Sequence, residues 1–298
     1  MIIVCKKCYN LYIKIILEKI MTYIILIAAA VIAILALRNI YELYNFNITD
    51  YDISTDKIKQ NHKYVFLTDL HERSYGIDNE LLYQAVVKQN PDAVLIGGDM
   101  YISLSKDEIP NEKTLNKISR TTDFIIRLAK KFKVYYAYGN HEVKSFENSY
   151  FLNAMNMLKD AGVVFLDDES TSLGDNISLS GLSIDRSLYL KFKNAVMPDN
   201  YISSKLSARD DEKYNILLAH SPLFFKNYAE YGSDLCLCGH YHGEFLISPQ
   251  FIPFPKYYAG LFKEKSTDMI VSRGIGSHTV NIRILNKPEV VIINLRPE

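Results

Sequence analysis

Five polar clusters stand out in the 298-residue chain, each directly after an apolar run. Asp69 and His71 follow Tyr64–Leu67, and Gly98-Asp99 follows Ala93–Ile96. Gly139-Asn140-His141-Glu142 follows Val134–Tyr138. His220 follows Asn215–Ala219, and Gly239-His240-Tyr241-His242 follows Leu235–Cys238. Aspartate offers a hard anionic oxygen, asparagine a neutral amide oxygen and histidine an imidazole nitrogen. Such a mixed set suits Mn, Fe or Zn better than Ca or Mg. The chain has 7 histidines, and His71, His141, His220, His240 and His242 all fall in these clusters, which scattered core histidines would not do. Asp69, His71, Asp99, Asn140, His220, His240 and His242 are too many ligands for one tetrahedral ion. They suit two ions sharing a carboxylate. Paired ions ~3.5–4 Å apart clamp the attacking and leaving oxygens of an in-line displacement.

Spacing supports convergence. Asp69 and His71 are two positions apart, as are His240 and His242, so on an extended segment each pair points to one side. Asp99, Asn140 and His240 each follow a glycine, which permits the sharp turn or close approach that a strand-end loop needs.

The elements that must carry these residues alternate along the first half. Strands are expected at Tyr64–Leu67, Ala93–Ile96, Val134–Tyr138 and Val163–Leu166, and helices at Asn79–Gln89, Glu112–Phe132 and Phe151–Ala161. The second half is strand-rich, with runs at 177–183, 215–219, 235–238, 269–272, 281–285 and 290–294. There the only helical spacing is at 223–231. Two sheets packed face to face with helices outside are implied, with ligands gathered at the carboxyl ends of the strands. Cys236 and Cys238 alternate along an apolar run and read as small core residues. Cys5-x-x-Cys8 lacks a second pair and does not read as a zinc site.

Ile20–Leu37 carries no charge. It is just long enough to span a bilayer, which takes ~20 apolar residues, and it has no polar face to suit a core helix. Residues 1–19 form a basic leader, 20–38 a transmembrane anchor, 39–62 a polar linker and 63–298 the main domain. Lys6, Lys7, Lys14 and Lys19 precede the run, and only Arg38 follows before Lys57. The positive-inside rule then sets the domain outside the cytoplasm as a single-pass protein. A start at Met21 would remove those lysines and with them the argument. Lys plus Arg equals Asp plus Glu, 34 each, so no basic footprint for nucleic acid is present.

The ordered motifs Asp69-x-His71, Gly98-Asp99, Gly139-Asn140-His141-Glu142, His220 and Gly239-His240-x-His242 resemble those of the calcineurin-like metallophosphoesterase family. The resemblance spans about residues 63 to 295. The leader and the end segment, Val271 to Gly276 through Arg283 to Glu289, are similar to the membrane-associated bacterial branch. The resemblance implies an α/β four-layer α/β-β/α sandwich of two mixed sheets flanked by helices. It implies one metal held by Asp69, His71, Asp99 and His242, and a second held by Asp99, Asn140, His220 and His240. His141 would be the acid near the site, or the stabiliser of the leaving oxygen. The branch usually carries Gly-His-Thr-His-Gly-Gly-Gln where this chain has Gly239-His-Tyr-His-Gly-Glu244. Met100-Tyr101 also stand where further polar residues are common.

The implied enzyme is a dinuclear metal-dependent phosphoesterase. A metal-bridging hydroxide would attack phosphorus in a phosphomonoester or phosphodiester substrate, on a lipid-linked or envelope molecule near the membrane. Arg73, just after the first ligands, is a candidate phosphate contact. Glu142 reads as an orienting residue. The alternative is a non-catalytic, membrane-tethered metal-binding scaffold, whose ligand set should have decayed; no gap is visible.

Overall fold

The computed structural model describes residues 6–189, 195–243, 256–277 and 281–298. A long helix, α1 (Lys6–Leu43), leads into strand β1 (Asn47–Thr55). Next come β2 (His62–Leu67), α2 (Glu80–Gln89), β3 (Ala93–Ile96), α3 (Glu112–Ala129) and β4 (Lys133–Tyr136). Then follow α4 (Asn140–Ser145), α5 (Ser149–Asp160), β5 (Val164–Phe165), β6 (Glu169–Gly174) and β7 (Ile177–Leu182). The chain continues through α6 (Tyr201–Lys205), β8 (Tyr214–Ala219), α7 (Phe225–Tyr231) and β9 (Leu235–Cys238). It ends with β10 (Gly260–Glu264), β11 (Thr267–Val271) and β12 (Glu289–Pro297).

The strands form two mixed six-stranded sheets, ordered β1-β12-β2-β3-β4-β5 and β10-β11-β9-β8-β7-β6. The inner strands are buried on both faces, so they read as unbroken apolar runs, and alternate side chains serve different layers. Tyr64 and Phe66 of β2 face the second sheet, while Val65 and Leu67 face α2, α3 and α5. In β9, Leu235 and Leu237 join the core between the sheets; Cys236 and Cys238 pack outward with α6 and α7, both as free thiols. The result is a helix–sheet–sheet–helix sandwich, in agreement with the expected fold class.

Three differences from the sequence reading share a cause. Residues 39–62, expected as linker, instead continue α1 to Leu43 and then form β1, which pairs in parallel with β12 from Asn47↔Glu289 to Thr55↔Pro297. Likewise β6 and β10 lie on the two edges of the second sheet. In these three edge strands many side chains remain exposed to solvent, so their sequences show no unbroken apolar run and their pairing rests on ladder hydrogen bonds. In the opposite direction, Asn281–Leu285 was expected as a strand and is a loop ending in a turn. Arg283 faces inward, and the Asn286 N–H donates to the Arg283 carbonyl at 3.0 Å. The short helix α6 also lies beyond the one helix expected in the second half.

By length and composition, α1 is the single helix among the described residues able to cross a membrane; its apolar stretch has mean hydropathy 2.9 and none of it is covered by the domain.

The core between the sheets sets the distance between the strand ends that carry the site. Truncating Phe66→Ala, in the centre of that core, is expected to lower stability by about 3–5 kcal/mol, read from the midpoint of a urea unfolding curve.

Candidate metal centre

The candidate ligands converge at one edge of the sandwich, where the carboxyl ends of β2, β3, β4, β8 and β9 meet. Three donor clusters overlap there: Asp69, His71 and His242; Asp99, His220 and His240; and His71, Asp99 and His141. In the first, the Nε2 atoms of His71 and His242 are 3.0 Å apart, and His242 Nε2 is 3.3 Å from Asp69 Oδ1. In the second, His220 Nε2 lies 3.1 Å from Asp99 Oδ2. His220 Nε2 is also 3.7 Å from Asp69 Oδ1, which joins the clusters. Asn140 opens α4, and its buried Oδ1 has no hydrogen-bond partner.

The backbone route to this convergence differs from the extended geometry expected. Asp69, His71, Asp99, His240 and His242 all lie in the left-handed region, with φ from 46° at His71 to 75° at His240. Left-handed non-glycine residues are uncommon and cost on the order of 1–3 kcal/mol each, so they persist only where surroundings hold them. The holding bonds run between loops. The Asp69 and His71 N–H groups donate to the Gly98 and Asp99 carbonyls at 3.0 and 3.1 Å. The glycines matter for clearance: a Cβ on Gly139 would fall 2.2 Å from Asp99 Oδ1, and one on Gly239 would fall 2.2 Å from Asp69 Oδ2.

Each aspartate divides its two oxygens between tasks. Asp99 Oδ1 accepts from the His141 N–H at 2.8 Å, leaving Oδ2 to face His220. Asp69 Oδ2 accepts from Thr68 Oγ1 at 2.9 Å, leaving Oδ1 toward His71 and His242. His220 Nδ1 lies 2.7 Å from the Gly97 carbonyl. That bond keeps the proton on Nδ1 and turns Nε2 inward, the usual arrangement of a ligating imidazole.

Glu142 works one layer out. Its carboxylate is buried and accepts from the Asp99, Met100 and Gly139 N–H groups at 2.8, 2.9 and 3.0 Å and from the Tyr136 hydroxyl at 2.8 Å. It therefore ties the loop after β3 to the loop after β4, the orienting role expected for it.

The electrostatics call for positive charge. Asp69, Asp99 and Glu142 are all buried here. Burial and the Asp99 carboxylate push the Glu142 pKa up to about 7. Burial alone would discharge His220, yet Asp99 and Asp69 outweigh it and hold its pKa at about 10. Burial, with the His220 charge, drops His240 to about 3, leaving a neutral ligand. Converging nitrogens and carboxylates around an unpartnered amide oxygen fit divalent cations.

Arg73 does not join the cluster. Its guanidinium donates to the Leu43 carbonyl at the end of α1 and lies over the rings of Tyr44 and Tyr75, 5.4 and 5.8 Å from their centroids. Two contacts of the site were not visible in the motifs. The Ser103 N–H donates to His141 Nδ1 at 2.9 Å. The Tyr189 ring lies 5.2 Å from that of His240, and its buried hydroxyl has no hydrogen-bond partner. No local pattern marks either residue, since a backbone donor has no side-chain signature and Tyr189 sits among ordinary apolar neighbours. Glu244 lies outside the described residues.

Paired sheets with candidate metal ligands at their shared edge define the class as a metal-binding α/β sandwich. The calcineurin-like phosphoesterase family model matches residues 62–244, and the chain belongs to that family as a metal-dependent phosphoesterase. It is similar to the uncharacterized metallophosphoesterase YkuE of Bacillus subtilis, 25% identical over 245 residues that cover 78% of this chain and 79% of that one. It is also similar to the uncharacterized metallophosphoesterase YkoQ of the same organism, 23% identical over 268 residues that cover 83% and 91% of the two chains. Among solved structures, a dimetal phosphatase from Danio rerio aligns with TM-score 0.43 and 12% identity, covering 72% of this chain and 88% of that one.

An imidazole must be neutral to ligate a metal, so binding expels the proton that His220 otherwise holds up to about 10. Below that pKa, apparent metal affinity is expected to rise roughly tenfold per pH unit for each proton released. Metal titrations of the stripped protein at several values between neutral and mildly acidic pH check this; a flat profile would contradict it.

Proposed function

We propose that the chain is a dinuclear phosphoesterase tethered by residues 20–38, with its catalytic domain outside the cytoplasm, acting on a lipid-linked or envelope phosphoester. The observation that carries the dinuclear reading is the pair of donor clusters that meet around Asp99 and Asp69. In this reading Asp69, His71, Asp99 and His242 hold one ion, and Asp99, Asn140, His220 and His240 hold the other. The ions are Mn, Fe or Zn, given the mixed nitrogen and oxygen donors. When bound, they supply Lewis acidity toward the phosphoryl oxygens and lower the pKa of water for in-line attack.

The chain's own groups do the rest. Because the Ser103 amide can only donate, His141 Nδ1 must accept, and the ring proton is left on Nε2. Nε2 faces the cluster, 3.9 Å from Asp99 Oδ2. His141 is thereby set as a neutral hydrogen-bond donor to the leaving oxygen, which favours stabilisation over full proton transfer. Tyr189, whose ring lies 5.2 Å from that of His240 and whose hydroxyl has no hydrogen-bond partner, is assigned in this reading as a donor to a phosphoryl oxygen. Glu142 keeps the loops of Asp99 and Asn140 at a fixed separation.

The test uses the full chain in detergent, supplied with Mn, with elemental analysis beside hydrolysis of an aryl phosphomonoester and an aryl phosphodiester. About two ions per chain and turnover of one ester are expected. Two ions with no turnover would favour the scaffold reading, and no bound metal would remove the site. His141→Ala is expected to lower kcat by about 10²–10³-fold, the loss of one stabilising donor, with metal content unchanged. Tyr189→Phe should lower kcat by roughly tenfold, the value of one hydrogen bond. Wild-type rates in either variant would refute the role assigned to that residue.

A further inference from the structure

The end of α1 is fastened to the domain. Glu42 is buried, pairs with Arg38 at 2.6 Å and accepts the Asn286 N–H at 3.2 Å. Asn39 bridges in both directions: its Nδ2 donates to the Asn281 carbonyl at 3.0 Å, and its Oδ1 accepts the Arg283 N–H at 2.7 Å. From Arg38, just past the apolar run, to Glu42 is about one helical turn, a rise of ~6 Å. Whatever surrounds the apolar run must therefore come close to the segment 281–287.

That segment is shaped to meet it. Ile282 and Leu285 are 39% and 62% exposed, and Tyr41 on α1, which Lys287 of the same segment approaches, is 52% exposed. Leu285 sits at φ 58°, an unfavourable backbone for a bulky side chain, at the tip of the turn. Lys287 Nζ and the Arg38 guanidinium lie 5.2 and 5.8 Å from the Tyr41 ring centroid. Aromatic and basic side chains ringing exposed aliphatic ones at the end of an apolar helix match the composition of a membrane–water interface. The segment is bonded to the end of α1 through Asn39 and Glu42, so the layer that surrounds the apolar run is its occupant.

We propose that the turn 281–287, together with Tyr41, is a bilayer-contact surface whose Ile282 and Leu285 enter the headgroup–acyl boundary. The proposal rests on reading α1 as a membrane span. It has a consequence for the site, because the same turn holds a candidate ligand. Arg283 and Asn286 flank Leu285 and donate to the His242 carbonyl at 3.0 and 2.6 Å. The metal site is thereby held at a fixed short height over the bilayer, a geometry suited to a phosphoester in a lipid headgroup.

The chain has no tryptophan (Trp 0), so each introduced indole is a sole reporter. Leu285→Trp, Ile27→Trp and Glu212→Trp variants of the full chain would be reconstituted in phosphatidylcholine–phosphatidylglycerol vesicles, with plain or brominated acyl chains. Ile27 lies within the apolar run, and Glu212 is exposed just before β8, opposite the edge that carries His220. Expected are strong quenching for Ile27→Trp, blue-shifted emission with partial quenching for Leu285→Trp, and no quenching for Glu212→Trp. Quenching of Leu285→Trp no greater than that of Glu212→Trp, while Ile27→Trp is quenched, would overturn the contact and leave the span intact. A blue shift without quenching would mean that protein, such as a second copy, covers the turn, and would overturn it too. An unquenched Ile27→Trp would refute the span, and the contact surface with it.

Discussion

The carboxylate of Asp99 is the constraint around which the site is arranged. It is buried at the meeting edge of two sheets, at a left-handed backbone position, and faces His220 from the other sheet. A buried anion is expensive unless paired and hydrogen-bonded. The Asp99 carboxylate and backbone are served by the His141 N–H, the His220 imidazole and, through the N–H of Asp99, the Glu142 carboxylate. None of these partners comes from the strand that carries Asp99. The ring can close only when the two sheets stand at one separation, which the core between them sets.

That dependence explains where strain is tolerated. Left-handed conformations at five of the candidate ligands, from Asp69 to His242, would each destabilise a loop standing alone. Here the loops after β2 and β3 hydrogen-bond to each other, and the His240 N–H donates to Asp69 Oδ1 and Oδ2 at 3.2 and 3.1 Å across the sheet boundary. Gly139 and Gly239 contribute by having no side chain where two loops touch. The same economy of contact extends outward to the end of α1, where Arg73 reaches the Leu43 carbonyl and Asn39 reaches the segment of Arg283. The end of the apolar helix is thus bonded to the domain that carries the candidate metal site.

Much was legible along the chain because the physics is local or periodic there. Apolar runs mark strands buried on both faces, so β2, β3, β4, β8 and β9 could be read with the polar residues that follow them. Metal-binding chemistry depends on residue type, and Asp, Asn and His at the strand ends declare it. The uncharged run before Arg38 likewise declares a helix able to cross a bilayer. Fold class and the candidate ligand set followed from these features and from the resemblance they support.

What only the tertiary structure decided depends on groups distant in sequence. The edge strands β1, β6 and β10 were hidden because a ladder hydrogen bond leaves no mark on composition. Arg73 reads in sequence as a candidate phosphate contact, and only the packed structure shows that its guanidinium donates to the Leu43 carbonyl at the end of α1. The ring proton of His141 is fixed by the backbone amide of Ser103, and the ring of Tyr189 meets that of His240, brought beside it by another strand. The sequence by itself determined which atoms could bind metal and which segments would be buried. Conformation, protonation and the direction of each side chain were left to packing, because each is set by a partner that proximity in the chain does not supply.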